Sequence, residues 1–190
     1  MPSNSHPVSL PARPVLTPLW TPEQIAKRVA DLAAEIDQDY VSNPPVLVGA
    51  LKGAFIFLAD LVRAIQTPVE IEFMRLSSYD AGTASSGRVR ISSSPEREAI
   101  EGRPVILIED ILDTGLTTSA ALRHLRRKRP SSLTVCTLLD RPERRVVDVK
   151  ADYAGFTFSG HFVVGYGLDY DQQYRELPGI YALDAGAQHQ

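Results

Sequence analysis

The stretch VILIEDILDTGLTT, residues 105–118, constrains the fold more than any other part of the chain. Unbroken apolar residues run straight into two adjacent carboxylates, Glu109 and Asp110, and a third, Asp113, follows three positions later. A continuous apolar run of this length suits a strand covered on both faces of a parallel sheet. In open parallel sheets ligands collect beyond the carboxyl ends of the strands, which is where these three acids fall.

The rest of the chain supplies the partners such a strand needs. Thr21-Pro22-Glu23-Gln24 is a capping-box pattern with proline at the first helical position, and Ile25, Val29, Leu32 and Ile36 follow at helical spacing. PVLVGAL reads as a buried strand, AFIFLADLVRAI as a helix, and VEIEFMRL as a strand. After 105–111 the pattern predicts a helix over 117–128, the strand SLTVCTLLD, and the late strands DYAGFTF and FVVGYGL. Strands alternating with helices in this order predict an α/β domain.

With 190 residues, one domain with a single sizeable core is expected, at 15–184. Residues 1–14 read as a disordered tail and 185–190 as a flexible C-terminus. No basic segment followed by an apolar block opens the chain, so no secretory signal is expected. Residues 46–62 are the most apolar, but Lys52, Asp60, Gly49 and Gly53 interrupt them, so neither a membrane span nor a membrane partner is expected. A formal charge of −3 gives no basic field for nucleic acid. The one dense basic run, Arg123, Arg126, Arg127, Lys128 and Arg129, reads as a solvated helix end. Cys136 stands alone in an apolar strand and reads as a small core residue. His6, His124, His161 and His189 lack metal-ligand spacing. The location expected is cytoplasmic.

SSYDAGTASSGRVR, between two predicted elements, is small and polar with one aromatic, Tyr79. It reads either as an exposed connection or as a mobile lid.

What the three acids do depends on the loop that follows them. Residues 113–117 contain Gly115 and open a helix, so backbone N–H groups and the helix N-terminus form a concave anion site. Thr114, Thr117 and Thr118 add hydroxyls. A phosphate fits badly beside two bare carboxylates unless those acids hold sugar hydroxyls or a hard cation such as Mg²⁺, and a sugar phosphate meets both needs. Helix capping explains Asp113 but not Glu109 and Asp110 directly after ILI.

The stretch VILIEDILDTGLT resembles the phosphoribosyl-pyrophosphate (PRPP) signature of type I phosphoribosyltransferases. GALKGAFIF, the RLSSYD loop and FVVGYGLDYDQQYREL resemble the hypoxanthine-guanine branch of that family, and the likeness covers about residues 16–183. The resemblance implies a central, mostly parallel sheet flanked by helices, with a small hood. It implies transfer of phosphoribose from PRPP to a 6-oxopurine, with Mg²⁺ as cofactor and a homodimer or homotetramer as the assembly. Under it Glu109 and Asp110 hold the ribose hydroxyls, Asp113 is the general base near N7 of the purine, and Asp113, Thr114, Gly115, Leu116, Thr117 and Thr118 wrap the 5′-phosphate. Lys52 and Arg175 contact pyrophosphate, with Gly53 also in the PRPP site and the Leu51–Lys52 peptide often cis. Phe162 stacks on the base, Val163 reaches it through its backbone, and Asp169 borders the purine and takes a second Mg²⁺. Glu109, Asp110 and Asp169 are thus the implied metal ligands, and Ser78 and Tyr79 belong to the lid.

Taken alone, Phe162 alternates like a core strand residue, and Asp169 and Arg175 read as surface charges. Two positions depart from the family pattern. Arg141 stands in LLDRPERR where the branch usually has the lysine that donates to the 6-oxo oxygen, and Asp80 follows Ser-Tyr where glycine is usual. Arginine is bulkier and forked, so the exchange is not conservative at a single-acceptor site. A transferase for xanthine or a pyrimidine and a non-catalytic PRPP sensor therefore stand beside the salvage enzyme as readings.

Overall fold

The first helix, α1 (Pro22–Tyr40), starts where its capping box demands. Thr21 accepts from the Gln24 N–H at 3.3 Å, and the Gln24 side chain accepts from the Thr21 N–H at 2.9 Å. It follows a short strand, β1 (Leu16–Trp20), which the sequence pattern did not predict. Then come β2 (Val46–Leu51), α2 (Phe55–Ala64) and β3 (Glu70–Ser78). This computed structural model describes residues 15–78 and 89–183. The expected tails at 1–14 and 185–190, and Tyr79 and Asp80 with most of the polar connection, lie outside the described residues.

Beyond that connection lie β4 (Val89–Ser93), a single turn α3 (Arg97–Ile100), and β5 (Pro104–Leu112), the strand that carries the acids. Helix α4 (Leu116–Arg126), β6 (Ser132–Asp140), β7 (Tyr153–Thr157), β8 (Phe162–Val164) and β9 (Ile180–Leu183) complete the chain. Ser77 and Ser78 belong to β3, and Val89 and Arg90 to β4, so the ends of the polar connection are an antiparallel hairpin rather than loop.

The main sheet has the order β4-β3-β2-β5-β6-β7, parallel except for the β3–β4 pair. β5 is central and fully covered, as its unbroken apolar run requires. Alternate residues feed two cores. Leu47, Ile106, Ile108, Cys136 and Leu138 pack with α1 and α2. Val48, Val105, Leu107 and Val135 pack with Ala121, Leu122 and Leu125 of α4. Cys136 is fully buried, as expected of a small core residue.

A second sheet, β1-β9-β8, is wholly antiparallel and joins the two ends of the described chain into a hood. Among the described residues no helix is long and apolar enough to cross a membrane.

Candidate active site

β5 carries its acids to the open edge, and the period of a strand then separates them. Successive side chains on a strand point to opposite faces. Glu109 continues the face of Val105 and Leu107 toward α4, where it accepts from Thr118 Oγ1 at 3.3 Å. Asp110 turns the other way, against Gly53, where any Cβ would collide with its carboxylate. The two acids are adjacent in sequence and divided in space. Burial, reinforced by the charge of Asp110, pushes Glu109 up to about 8, while the Thr118 hydroxyl works in the opposite direction. Asp110, less enclosed by accessible surface, is pushed up to about 6, again mainly by burial.

The chain then turns at Gly115, whose φ of 80° is left-handed, the conformation glycine adopts at no steric cost. A Cβ there would lie 2.9 Å from Arg145 Cδ and 3.0 Å from Val147 Cγ2. α4 therefore opens at Leu116, one residue before the predicted start. Thr114 Oγ1 accepts from the Leu116 N–H at 3.4 Å. Thr118, expected in the phosphate wrap, is buried with its hydroxyl committed to Glu109. Thr114 and Thr117 remain as the hydroxyls at the loop.

Asp113 sits at the head of this loop. Arg144 Nε lies 3.3 Å from its Oδ1, but without the alignment of a hydrogen bond. That oxygen is shielded from solvent and has no hydrogen-bond partner among the described residues. The loop is held from behind by Arg145, which donates to the carbonyls of Leu112 and Asp113 and pairs with Asp140. The sequence reading gave Arg145 no role. Its side chain is only 13 % exposed, and only the fold reveals its task.

Facing β5 is the segment 165–177. Gly167 approaches so closely that a Cβ on it would meet the Gly53 carbonyl oxygen. Arg175 donates to the Gly167 carbonyl at 2.6 Å and pairs with Asp169 at 2.7 Å, so both residues are held within the wall rather than lying free on the surface. Lys52 follows a cis Leu51–Lys52 peptide, as the resemblance implied, and donates to Gln172 Oε1 at 3.0 Å. Gln172, to which sequence reasoning gave no role, thus lies among the residues expected to take pyrophosphate. Asp171, Gln172 and Tyr174 all have left-handed backbones without being glycine, each costing about 1–2 kcal/mol. Tyr166, also left-handed, anchors the wall by donating to Asp60 of α2 at 2.5 Å.

The base-reading candidates have the following surroundings. Arg141 lies with its guanidinium 5.4 Å from the centroid of Phe158, donates to Glu143 at 3.0 Å, and offers its backbone N–H to Leu112. Phe162 is 50 % exposed with Tyr170 edge-on at 5.7 Å, so it is not the core residue its alternation suggested. Val163 is buried and paired with Ala182 of β9. Ser78 ends β3.

For a metal, the donors present are hard carboxylate oxygens. Among the described residues no three of His, Cys, Asp or Glu gather closely enough to cage an ion. Mg²⁺ suits such a site, because it binds through one or two carboxylates and keeps waters and substrate oxygens for its other positions.

Comparison with known proteins agrees with this geometry. The family described as phosphoribosyl transferase domain matches residues 21–171. The hypoxanthine-guanine phosphoribosyltransferase of Mycobacterium avium is 45% identical over 186 residues, covering 95% of this chain and 91% of that protein. That of Aquifex aeolicus is 48% identical over 163 residues, covering 85% and 91%. A solved hypoxanthine phosphoribosyltransferase from Staphylococcus aureus superposes with a TM-score of 0.84 at 41% identity, over 91% of this chain and 94% of that one. A carboxylate strand running into a glycine-turned anion loop, under a hood built from both ends of the chain, is therefore the architecture of a known family, and this chain belongs to the phosphoribosyltransferases, in their hypoxanthine-guanine branch.

Proposed function

We propose that the protein is a purine-salvage enzyme that transfers phosphoribose from PRPP to hypoxanthine and/or guanine, giving IMP or GMP and pyrophosphate. The observation that carries this reading is Asp113 Oδ1, shielded from water and without a hydrogen-bond partner among the described residues. Arg144 Nε, 3.3 Å away, offsets the charge of this carboxylate but is out of line for a hydrogen bond, so the oxygen's capacity to accept one stays free. An oxygen held that way is reserved for a donor that arrives with substrate, and the N–H of a purine is such a donor.

Breaking the bond from C1 to pyrophosphate builds positive charge on the ribose and negative charge on the leaving group, much as in glycoside cleavage. Asp113 accepts the proton that the base gives up as its nitrogen bonds to C1. Glu109 and Asp110 bind the ribose hydroxyls, and the backbone of 113–117 with Thr114 and Thr117 holds the 5′-phosphate. Lys52 and Arg175 meet the pyrophosphate. Of the implied metal ligands, Asp110 and Asp169 face the same side of the site and would hold Mg²⁺, which when bound would screen the charge of the leaving group, whereas Glu109 is turned to α4 and bonded to Thr118. Phe162 offers its exposed ring to the base, and Arg141 donates to its 6-oxo oxygen. The catalytic unit in this reading is 15–184, acting in the cytoplasm as a homodimer or homotetramer. Phe55, Ile71 and Phe73, exposed by 44 %, 42 % and 44 %, supply apolar surface for that assembly.

A second reading, in which xanthine or a pyrimidine is the base, draws on Arg141 and its tie to Glu143. The purified protein with PRPP, Mg²⁺ and a panel of nucleobases separates the two. Nucleotide should form with hypoxanthine or guanine and hardly at all with adenine, whose amino group offers no acceptor to Arg141. Turnover confined to xanthine or a pyrimidine establishes the second reading, and PRPP binding without turnover of any base makes the protein a sensor.

A further inference from the structure

We propose that Gln172 is an internal stand-in for pyrophosphate: its side-chain oxygen occupies the two cations of the wall and must be displaced before the anion can bind. The inference rests on the reading above, in which Lys52 and Arg175 receive pyrophosphate. Gln172 Oε1 accepts from Lys52 Nζ at 3.0 Å and lies 3.5 Å from Arg175 Nη2. One neutral oxygen thus bridges cations contributed by separate parts of the chain, the loop after β2 and the segment after β8.

The other end of the same side chain fits the same role. Gln172 Nε2 lies 3.4 Å from Asp169 Oδ2, and the Gln172 backbone N–H donates to that oxygen at 2.8 Å. The amide is oriented by its surroundings, with the carbonyl toward the cations and the amino group toward the carboxylate. A glutamine can serve both at once, whereas a phosphate oxygen could satisfy only the cations.

Its backbone is held in an uncommon conformation to do so. Gln172 has φ 63° and follows Asp171 at φ 49°, two consecutive non-glycine residues in the left-handed region. Such conformations persist where the surroundings over-determine them, and they gather at ligand clamps. No packing reason competes, because both side chains are exposed.

The consequence concerns affinity. Hydrogen bonds to charged groups contribute more than neutral ones, and each must be surrendered when pyrophosphate arrives. The free energy of binding is reduced by what the stand-in already supplies. Wild-type protein therefore binds pyrophosphate more weakly than its cations would allow, and releases it faster.

The test is calorimetric titration of the full chain with inorganic pyrophosphate at fixed Mg²⁺. Gln172→Gly removes the side chain, and glycine accepts the left-handed backbone without strain. Gln172→Asn also tolerates that backbone, but it is too short to bridge both cations. The glycine variant should bind pyrophosphate about three- to tenfold more tightly and the asparagine variant by a smaller factor, since tenfold corresponds to about one hydrogen bond of this kind. A residue that merely supports the wall would lose affinity on removal, so a gain cannot come from a structural role. Equal or weaker binding in the glycine variant overturns the proposal.

Arg175→Ala, measured alongside, separates the two levels of the argument. Weaker pyrophosphate binding in Arg175→Ala with no gain in Gln172→Gly sinks the stand-in alone. Unchanged binding in Arg175→Ala removes the cation assignment, and the stand-in with it.

Discussion

The two walls of the site are built on opposite principles. On one side Glu109 and Asp110 lie within a central strand whose preceding residues are fully buried, and Arg145 braces the loop that follows it. On the other, segment 165–177 has no regular structure of its own and depends on Tyr166, Arg175, Gln172 and several left-handed residues. Acids that must resist changing place are put where moving them would disrupt a core. The cation of that wall, Arg175, is held by the Gly167 carbonyl and Asp169, partners on the same coil segment, so its place depends on the coil rather than on a core.

The difference is broken most directly at the strand side. Asp113→Asn should slow turnover by about 10²- to 10⁴-fold, the contribution of general acid–base catalysis, with PRPP binding largely intact. Steady-state rates with hypoxanthine and guanine check this, and an undiminished kcat would remove Asp113 from the chemistry.

Gly53→Ala attacks the point where the walls meet. Its methyl would collide with the Asp110 carboxylate, and relief costs about 1–3 kcal/mol as overpacking does. Denaturant unfolding should show that loss together with weaker PRPP binding. Full stability and affinity would mean that the contact relaxes freely.

A subtler distinction is electrostatic. Both forms of the chain hold the Glu109 proton below about pH 4.5, but above it the unfolded chain ionises first, while burial keeps the folded carboxyl protonated up to about 8. Glu109 therefore withdraws stability as pH rises through that window, by about 1.4 kcal/mol per pH unit at most. Glu109→Gln should lack this slope, and its melting temperature should gain on the wild type between pH 5 and pH 8. Parallel profiles would show that Glu109 is better solvated than its position implies.

The smallest effect is expected on the coil side. Tyr166→Phe deletes the hydroxyl that donates to Asp60 and should lower stability by about 1 kcal/mol. KM for PRPP should rise while kcat holds, because the wall loses an anchor and Asp113 loses nothing. A drop in kcat as well would tie segment 165–177 to the chemical step.

How far each wall was legible in the sequence follows from the same contrast. The β5 run, the acids, Gly115 and the capping box at Thr21 are local patterns whose physics acts within a few residues, so each appears where the sequence predicts it. β1 and β9 are short, β1 contains Pro18, and they pair only because the two ends of the described chain come together, which no local pattern encodes. The division of Glu109 from Asp110 was implicit in strand alternation, but reading the acids as a pair concealed it. Thr118 was assigned to the phosphate from its place in the loop, whereas the helix turns its hydroxyl inward to Glu109. Arg145 and Gln172 were hidden because a charged run and a polar turn look like solvated surface until the fold shows what faces them.

The Leu112 carbonyl accepts both the backbone N–H of Arg141 and the side chain of Arg145. The segment proposed to read the base and the loop that carries Asp113 are thereby hinged on a single oxygen. Under the proposed roles of Arg141 and Asp113, exchanging residues 141–145 to change the choice of base will also shift the general base, so selectivity and speed change together and substitutions across this hinge will fail to add.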